Sequence, residues 1–224
     1  MFDAIAGRYD LLNHLLSAGI DRSWRTRAIQ SLQLTGTERV LDLCTGTADL
    51  AIAAARARPA AARVVGVDFA GAMLRVGQDK LRREQLGDRI TLVRGDATCI
   101  PVADASVDAV TIAFGIRNVD QVLAACREMR RVLRRGGRLA ILEFAVPTTP
   151  GVSAVYLWYL RQVLPRIGRA VSRHNAAYGY LPASIGAFAT PDEFVKILQQ
   201  AGFSGISPNR LTFGSVILYT AVST

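Results

Sequence analysis

The chain carries two kinds of apolar pattern in alternation. Five short runs are rich in strand-forming residues, and several are nearly continuous in apolar ones: Arg39-Val40-Leu41-Asp42-Leu43, Arg63 to Asp68, Arg89 to Val93, Val107 to Ile112 and Arg138 to Glu143. Continuous rather than alternating hydrophobicity marks strands buried on both faces of a parallel sheet. Between most of them, Thr47 to Arg58, Ala70 to Leu86 and Asp120 to Leu133 place apolar residues at helical spacing. Strand alternating with helix predicts βαβ units and an α/β, doubly wound, mostly parallel sheet with helices on both faces. A closing helix from about Pro191 to Ala201, stopped by Gly202, leads to two more runs, Gly205 to Leu211 and Val216 to Val222. These predict a hairpin that completes a seven-stranded sheet. Tyr9 to Leu32 and Val152 to Ser172 read as helices over the carboxyl ends of the strands, where open α/β sheets bind ligands.

No internal repeat or linker divides the 224 residues, so one domain is expected. Its parts are lid helices over 1–34, a cofactor-binding core over 35–144, a substrate-side helical insertion over 145–190, and a final helix and hairpin over 191–224. The balance of 27 Lys and Arg against 18 Asp and Glu suits an anionic partner without choosing among nucleic acid, acidic lipid and acidic protein. Cys44, Cys99 and Cys126 stand far apart, so neither a disulfide framework nor a thiolate metal site is signalled, and a reducing compartment fits. The first residues lack the basic and apolar regions of a secretory signal, and Pro147, Pro150 and Gly151 interrupt the uncharged stretch Phe144 to Leu160. A cytoplasmic chain that does not cross a membrane is expected.

Candidate chemistry begins where the first strand runs into Cys44-Thr45-Gly46-Thr47-Ala48-Asp49 and then a helix. Gly46 permits close backbone approach to a ligand. The second strand ends in Asp68, 22 residues after Gly46, about where a carboxylate accepts from both ribose hydroxyls of an adenosine. A third carboxylate, Asp96, follows the third strand at the same sheet edge, where an adenine amino group could be held. The loop has one glycine where the dinucleotide fingerprint needs three, which disfavours a pyrophosphate cradle and NAD. Each piece has a plainer use: Gly46 could shape a turn, Asp68 could cap the helix near Ala70, and Asp96 could end a strand.

Taken together, the chain resembles the class I S-adenosylmethionine-dependent methyltransferases, and within them the ubiquinone/menaquinone biosynthesis C-methyltransferase family. The carriers are Phe2-Asp3, Arg8 to Asn13, Leu16 to Gly19 leading to Trp24, Asp42 to Asp49, Asp96-Ala97, Thr111 to Val119, Arg131 to Arg138, Leu142-Glu143-Phe144, Val163 to Gly168 and Tyr178 to Ile185. The resemblance implies a Rossmann-like fold and S-adenosylmethionine contacts at Gly46, Thr47, Asp68, Asp96 and Ala97, with Ala113 lining the pocket between methionine moiety and substrate. Ala48 stands where the family loop usually has a second glycine, Ala113 where serine is common, Asp21 for a frequent histidine and Ala183 for a frequent glutamate.

The implied reaction is C-methylation of a polyprenylated quinol, demethylmenaquinol to menaquinol, with ubiquinone biosynthesis as a further setting. The ring carbon must be enriched in electrons by a neighbouring phenolic oxygen that is ionised or strongly hydrogen-bonded, which suits a quinol and not a quinone. Arg117 and Asn118, after the fourth strand, are the expected holders of that oxygen, and Tyr9 could orient it. Tyr178, Tyr180 and Ser184 are expected to line the mouth for ring or tail, while His14 and His174 receive no role. Plainer uses are an Arg117 salt bridge to a carboxylate such as Asp120 and a core position for Tyr9.

The apolar and aromatic stretch Val152 to Arg173, with Arg161, Arg166, Arg169 and Arg173, is expected to touch an anionic membrane surface transiently, at the inner face of the cell membrane. The resemblance leaves room for a homodimer or a quinone-biosynthesis complex. Two other classes remain open: a methyltransferase acting on another small molecule or nucleic acid, and a catalytically silent nucleotide-binding module. Arg127, Arg130, Arg131, Arg134, Arg135 and Arg138 could touch phosphates, but no aromatic residue lies among them, so nucleic acid is not expected as partner.

Overall fold

A computed structural model describes residues 17, 19–61, 63–159, 162, 166 and 183–224. Its strands are β1 (Arg39–Leu43), β2 (Arg63–Asp68), β3 (Ile90–Arg94), β4 (Val107–Ala113), β5 (Leu133–Phe144), β6 (Phe203–Leu211) and β7 (Val216–Ser223). The α-helices among the described residues include α1 (Asp21–Ser31), α2 (Asp49–Arg56), α3 (Gly71–Arg83), α4 (Val122–Val132), α5 (Pro150–Trp158) and α6 (Pro191–Gln200). All seven strands join one sheet in the order β3-β2-β1-β4-β5-β7-β6. The first five pair in parallel, and the hairpin β6–β7 adds antiparallel to β5. The mostly parallel α/β sheet expected from the sequence is therefore present. From β1 the chain winds outward to β3 and then returns to β4, so the direction of winding reverses between β1 and β4, where such sheets form a ligand crevice.

Burial on both faces explains the unbroken apolar runs. Val40, Ala109, Ala140 and Leu142 face Trp24, Ala28 and Leu32 around α1 and Ala51, Ala54 and Ala55 of α2. The alternate positions Leu41, Leu43, Val110, Ile112, Leu139 and Ile141 face Cys126 and Met129 of α4 and Phe194 and Leu198 of α6. Thr190 opens α6 with a reciprocal capping box to Glu193, which fixes where that helix starts.

Several boundaries differ from the sequence expectation, each for a local reason. Helix α2 begins at Asp49 and not at Thr47, because Ala48 is left-handed at φ 71° and cannot continue a right-handed helix. Helix α4 gives way directly to β5 at Leu133, five residues before the expected strand start, and the register with β4 shifts between Val107 and Ala109. Gly136, at φ 75°, takes up that irregularity. Strand β6 starts at Phe203, and α5 starts at Pro150, a residue suited to a helix's first turn. Most of the expected Tyr9 to Leu32 helix before Asp21, and most of Val152 to Ser172 after Tyr159, lie outside the described residues. No described helix is long and apolar enough to cross a membrane.

Candidate active site

The loop from β1 to α2 is folded by its own side chains. Asp42, fully enclosed at the end of β1, accepts from Thr45 Oγ1 at 2.6 Å and from Thr111 Oγ1 of β4 at 2.8 Å. Burial pushes its carboxyl up to about 6, with the Thr45 and Thr111 bonds pulling the other way. The backbone then takes left-handed conformations at Cys44 (φ 53°), Gly46 (φ 56°) and Ala48 (φ 71°), and Phe114 after β4 does the same at φ 60°. Left-handed non-glycine residues cost on the order of 1–3 kcal/mol each and persist where surrounding structure imposes them, commonly at ligand sites. A side chain added at Gly115 would overlap Cys44, so the β1 and β4 loops touch. Burial raises the Cys44 thiol well above its ordinary range, which makes it a neutral wall and not a nucleophile.

Asp68 ties the next loop to this one. Its Oδ2 accepts from Gly46 N at 2.8 Å and its Oδ1 from Ala70 N at 2.8 Å. Phe69 beside it is 70% exposed, with the Arg94 guanidinium 5.6 Å from its ring centre. Asp96 is exposed and accepts from Thr98 N at 2.7 Å and Thr98 Oγ1 at 2.8 Å, and these bonds hold its carboxyl below the usual carboxylate range. A cavity of about 380 Å³ opens over the strand ends, lined by Gly46, Asp68, Phe69, Asp96, Ala97, Ala113 and Asn118 among others. Its size is within the roughly 300–1,000 Å³ of small-molecule sites. A smaller recess of about 30 Å³ adjoins it beneath Gly46 and Thr47, walled by Arg25, Asp42 and Asp49. There Arg25 pairs with Asp21 and approaches Asp49 at 3.3 Å, and Lys80 pairs with Asp49 and donates to Thr47 Oγ1 at 3.2 Å.

The other end of the site is formed by β4 and β5. Arg117, in a short 3-10 turn over Ile116–Asn118, has a side chain only 7% exposed and pairs with Glu143 of β5, itself 1% exposed. Arg117 Nη1 donates to Glu143 Oε1 at 2.7 Å and to Phe114 O at 2.5 Å, and Nε donates to Ser184 Oγ at 3.3 Å. The Phe144 ring lies 5.4 Å from the guanidinium and stacks on Phe114 at 4.4 Å, with Trp24 edge-on to both. From α5, Tyr156 turns toward this pair, and burial raises its phenol above the ordinary range.

The structure thus gathers Gly46, Asp68, Asp96, Ala97, Ala113 and Asn118 around one cavity, with Thr47 on the adjoining recess. Arg117 stands behind that lining, and its carboxylate partner is Glu143, not Asp120, which is exposed. Tyr9, Tyr178 and Tyr180 lie outside the described residues, whereas Ser184 is described and touches Arg117. Spacing did not point to Arg25, Phe69 or Glu143 as site residues. Only the position of Phe69 next to Asp68 could have drawn attention to it. Four arginines of the cluster have partners within the chain: Arg131 pairs with Glu128 and Asp104, Arg134 pairs with Asp108, and Arg130 and Arg138 donate to Gly202 O and Gln33 O.

Comparison with known proteins places this geometry. Among solved structures, the chain superposes on a Haemonchus contortus phosphoethanolamine N-methyltransferase 2 in complex with S-adenosyl-L-methionine, with TM-score 0.63 and 18% identity, over 85% of this chain and 39% of that one. It also superposes on the [4+2]-cyclase SpnF, with TM-score 0.61 and 18% identity, over 92% and 81%. A methyltransferase and a cyclase on one scaffold show that the likeness concerns fold and not reaction. In sequence, it is 49% identical over 220 residues to the ubiquinone/menaquinone biosynthesis C-methyltransferase UbiE of Syntrophotalea carbinolica, covering 98% of this chain and 91% of that one. It is 41% identical over 221 residues to the demethylmenaquinone methyltransferase of Bacteroides fragilis, covering 99% and 90%. The pattern described as the ubiE/COQ5 methyltransferase family matches residues 1–223, and the chain belongs to that family.

Proposed function

We propose that the chain transfers the methyl group of S-adenosylmethionine to a ring carbon of a polyprenylated quinol, demethylmenaquinol in the first place, with a benzoquinol of ubiquinone biosynthesis as the second substrate the scaffold admits. The observation that carries this is one cavity lined at one end by Asp68 and at the other by Asn118, the neighbour of the buried Arg117. When bound, S-adenosylmethionine supplies an electrophilic methyl on a sulfonium. The residues suit it: a methyl group built on Gly46 would meet nothing within 4 Å, so the loop backbone is open to a ligand, and a carboxylate stands 22 residues on.

In this assignment Asp68 accepts from the ribose hydroxyls, each carboxylate oxygen having room for more than one donor. Phe69 offers its exposed ring to the adenine face, Asp96 and Ala97 meet the adenine edge, and Gly46 and Thr47 meet the amino-acid end. Ala113 lies between the two moieties. Arg117 and Asn118 stabilise the charge that develops on the phenolic oxygen, in surroundings that the Trp24, Phe114 and Phe144 rings keep dry. Tyr9 orients the same oxygen, and Tyr178, Tyr180 and Ser184 line the mouth for ring and tail. Bringing ring carbon, methyl and sulfur into line is the remaining task, and it is one of position.

Helix α5 carries the membrane part of the reading. Val155 and Trp158 are 66% and 59% exposed, Tyr156 is turned inward, and the helix has no charged residue. With Arg161, Arg166, Arg169 and Arg173 following, this is the chemistry of a surface that rests on anionic headgroups.

Two measurements test the reading. Labelled methyl transfer should appear on a chemically reduced demethylnaphthoquinol and not on its oxidised quinone; transfer to both alike, or to neither, would overturn it. Sedimentation should show binding to anionic vesicles that is lost at high salt and in a variant with the four arginines changed to glutamine. Equal recovery in the supernatant with anionic and neutral vesicles would leave quinol delivery to a partner protein.

A further inference from the structure

We infer that Glu143 is the positioning residue for Arg117, setting which nitrogen of the guanidinium is presented to the phenolic oxygen. This rests on the role of Arg117 proposed above. Glu143 sits one residue beyond Leu142, the β5 partner of Ala113, at the same strand edge as the cavity. Its two oxygens divide their work. Oε1 accepts from Arg117 Nη1 at 2.7 Å and from Phe144 N at 2.8 Å, while Oε2 accepts from the Arg117 backbone N at 3.3 Å. One carboxylate therefore fixes both the main chain and the side chain of Arg117. Phe114 O and Ser184 Oγ take further bonds from Nη1 and Nε, and the Phe144 ring supports one face. Among the described residues Nη2 has no acceptor, so the clasp selects the nitrogen that remains.

Stability does not account for this arrangement. A buried ion pair often stabilises no more than well-packed apolar residues of the same volume, because desolvating both charges offsets their attraction. The pair is also electrically neutral, so it draws an anion from afar only weakly. Its use is orientation: a fixed N–H aimed where charge develops needs no reorganisation as the ring reacts. Loss of Glu143 should accordingly appear in kcat and not in KM.

The test compares Glu143→Gln, Arg117→Met and the double variant, using S-adenosylmethionine and a chemically reduced short-chain demethylnaphthoquinol. Glutamine keeps the shape but places an amide NH2, which only donates, where one of the two oxygens must accept. We expect kcat to fall about 10- to 100-fold, as is usual when a partner that orients an active group is removed, with KM for the quinol and Kd for S-adenosylmethionine nearly unchanged. In the Arg117→Met background Glu143→Gln should cost nothing more, because a residue acting through another has no effect once that other is gone. Wild-type kcat in Glu143→Gln alongside a slow Arg117→Met would overturn the inference while leaving Arg117 its role, and so would losses that add. Wild-type kcat in Arg117→Met would remove the role of Arg117 and this inference with it. Should Glu143→Gln fail to fold, Glu143→Asp keeps the charge and shortens the reach; a wild-type rate there, or loss of S-adenosylmethionine binding and circular dichroism in both variants, would equally overturn it.

Discussion

At the β2 and β3 end of the cavity, Asp68 and Asp96 accept bonds from backbone N–H groups and a threonine at an open rim. At the β4 and β5 end, Arg117 and Glu143 hold each other under a layer of aromatic rings, almost out of reach of water. Rim carboxylates suit a ligand that arrives polar and leaves polar, since their bonds differ little between ground and transition state. Buried, pre-aimed N–H groups suit charge that exists only while the reaction runs. Binding and rate should therefore come apart when each end is altered.

The largest effect is expected at the buried end. Arg117→Met should lower kcat by about 10²- to 10³-fold, the usual loss when one donor to developing charge is removed, with little change in S-adenosylmethionine affinity. Near-normal turnover on a reduced demethylnaphthoquinol would return Arg117 to a purely structural ion pair. At the rim the reverse should hold. Asp68→Ala should weaken S-adenosylmethionine binding by about 1.5–3 kcal/mol, as for lost charge-assisted bonds, and should also free Gly46 N from its anchor. Unchanged affinity by calorimetry, in a folded variant, would mean the carboxylate serves only the loop.

The same contrast explains what the sequence disclosed. Strands buried on both faces leave an unbroken apolar signature, so β1, β2 and β4 were legible nearly to the residue, whereas β3, at the sheet edge with only Ile90 buried, was legible from its β-branched and apolar residues. Loop residues at strand ends follow from that frame, which is why Gly46, Asp68 and Asp96 could be placed. Arg117 was visible as a residue, but its partner was not. The nearest carboxylate along the chain is Asp120, while the real one lies 26 residues away on a neighbouring strand, and only the β4–β5 register brings it close. The start of β5 was hidden because a helical pattern and a strand pattern abut at Leu133 with no turn between. Arg25 was hidden because a buried arginine on a helix looks like a solvated one until its acids are found on α1 and α2.

Asp42 lies between the two ends, on β1. Its folded carboxyl holds a proton up to about 6, above the ordinary 3.8, so the folded state binds more protons than the unfolded chain in between. That contribution is complete below about pH 4 and is lost as pH rises through 6, with stability falling by about 1 kcal/mol between pH 5 and 6. Asp42→Asn should flatten this slope in urea melts. A slope that survives in the variant would assign it to another group.

The smallest effect should come from Ala48→Gly, in the strained loop at the binding end. Alanine at φ 71° carries the left-handed penalty of roughly 1–2 kcal/mol. Glycine removes that penalty, but it also removes a buried methyl that faces Gly77 of α3, worth about 0.8 kcal/mol, and it loosens the unfolded chain. The terms nearly cancel, leaving a change of less than about 1 kcal/mol, in the stabilising direction if strain is the larger part. Since Ala48 lies behind the Gly46 backbone and not on the cavity lining, kcat and S-adenosylmethionine affinity should hardly move. Thermal melts with and without S-adenosylmethionine separate the contributions. A destabilisation well above 1 kcal/mol would show that packing against Gly77 sets the loop. A large gain in affinity alone would show that the alanine strains the cradle at the expense of its ligand.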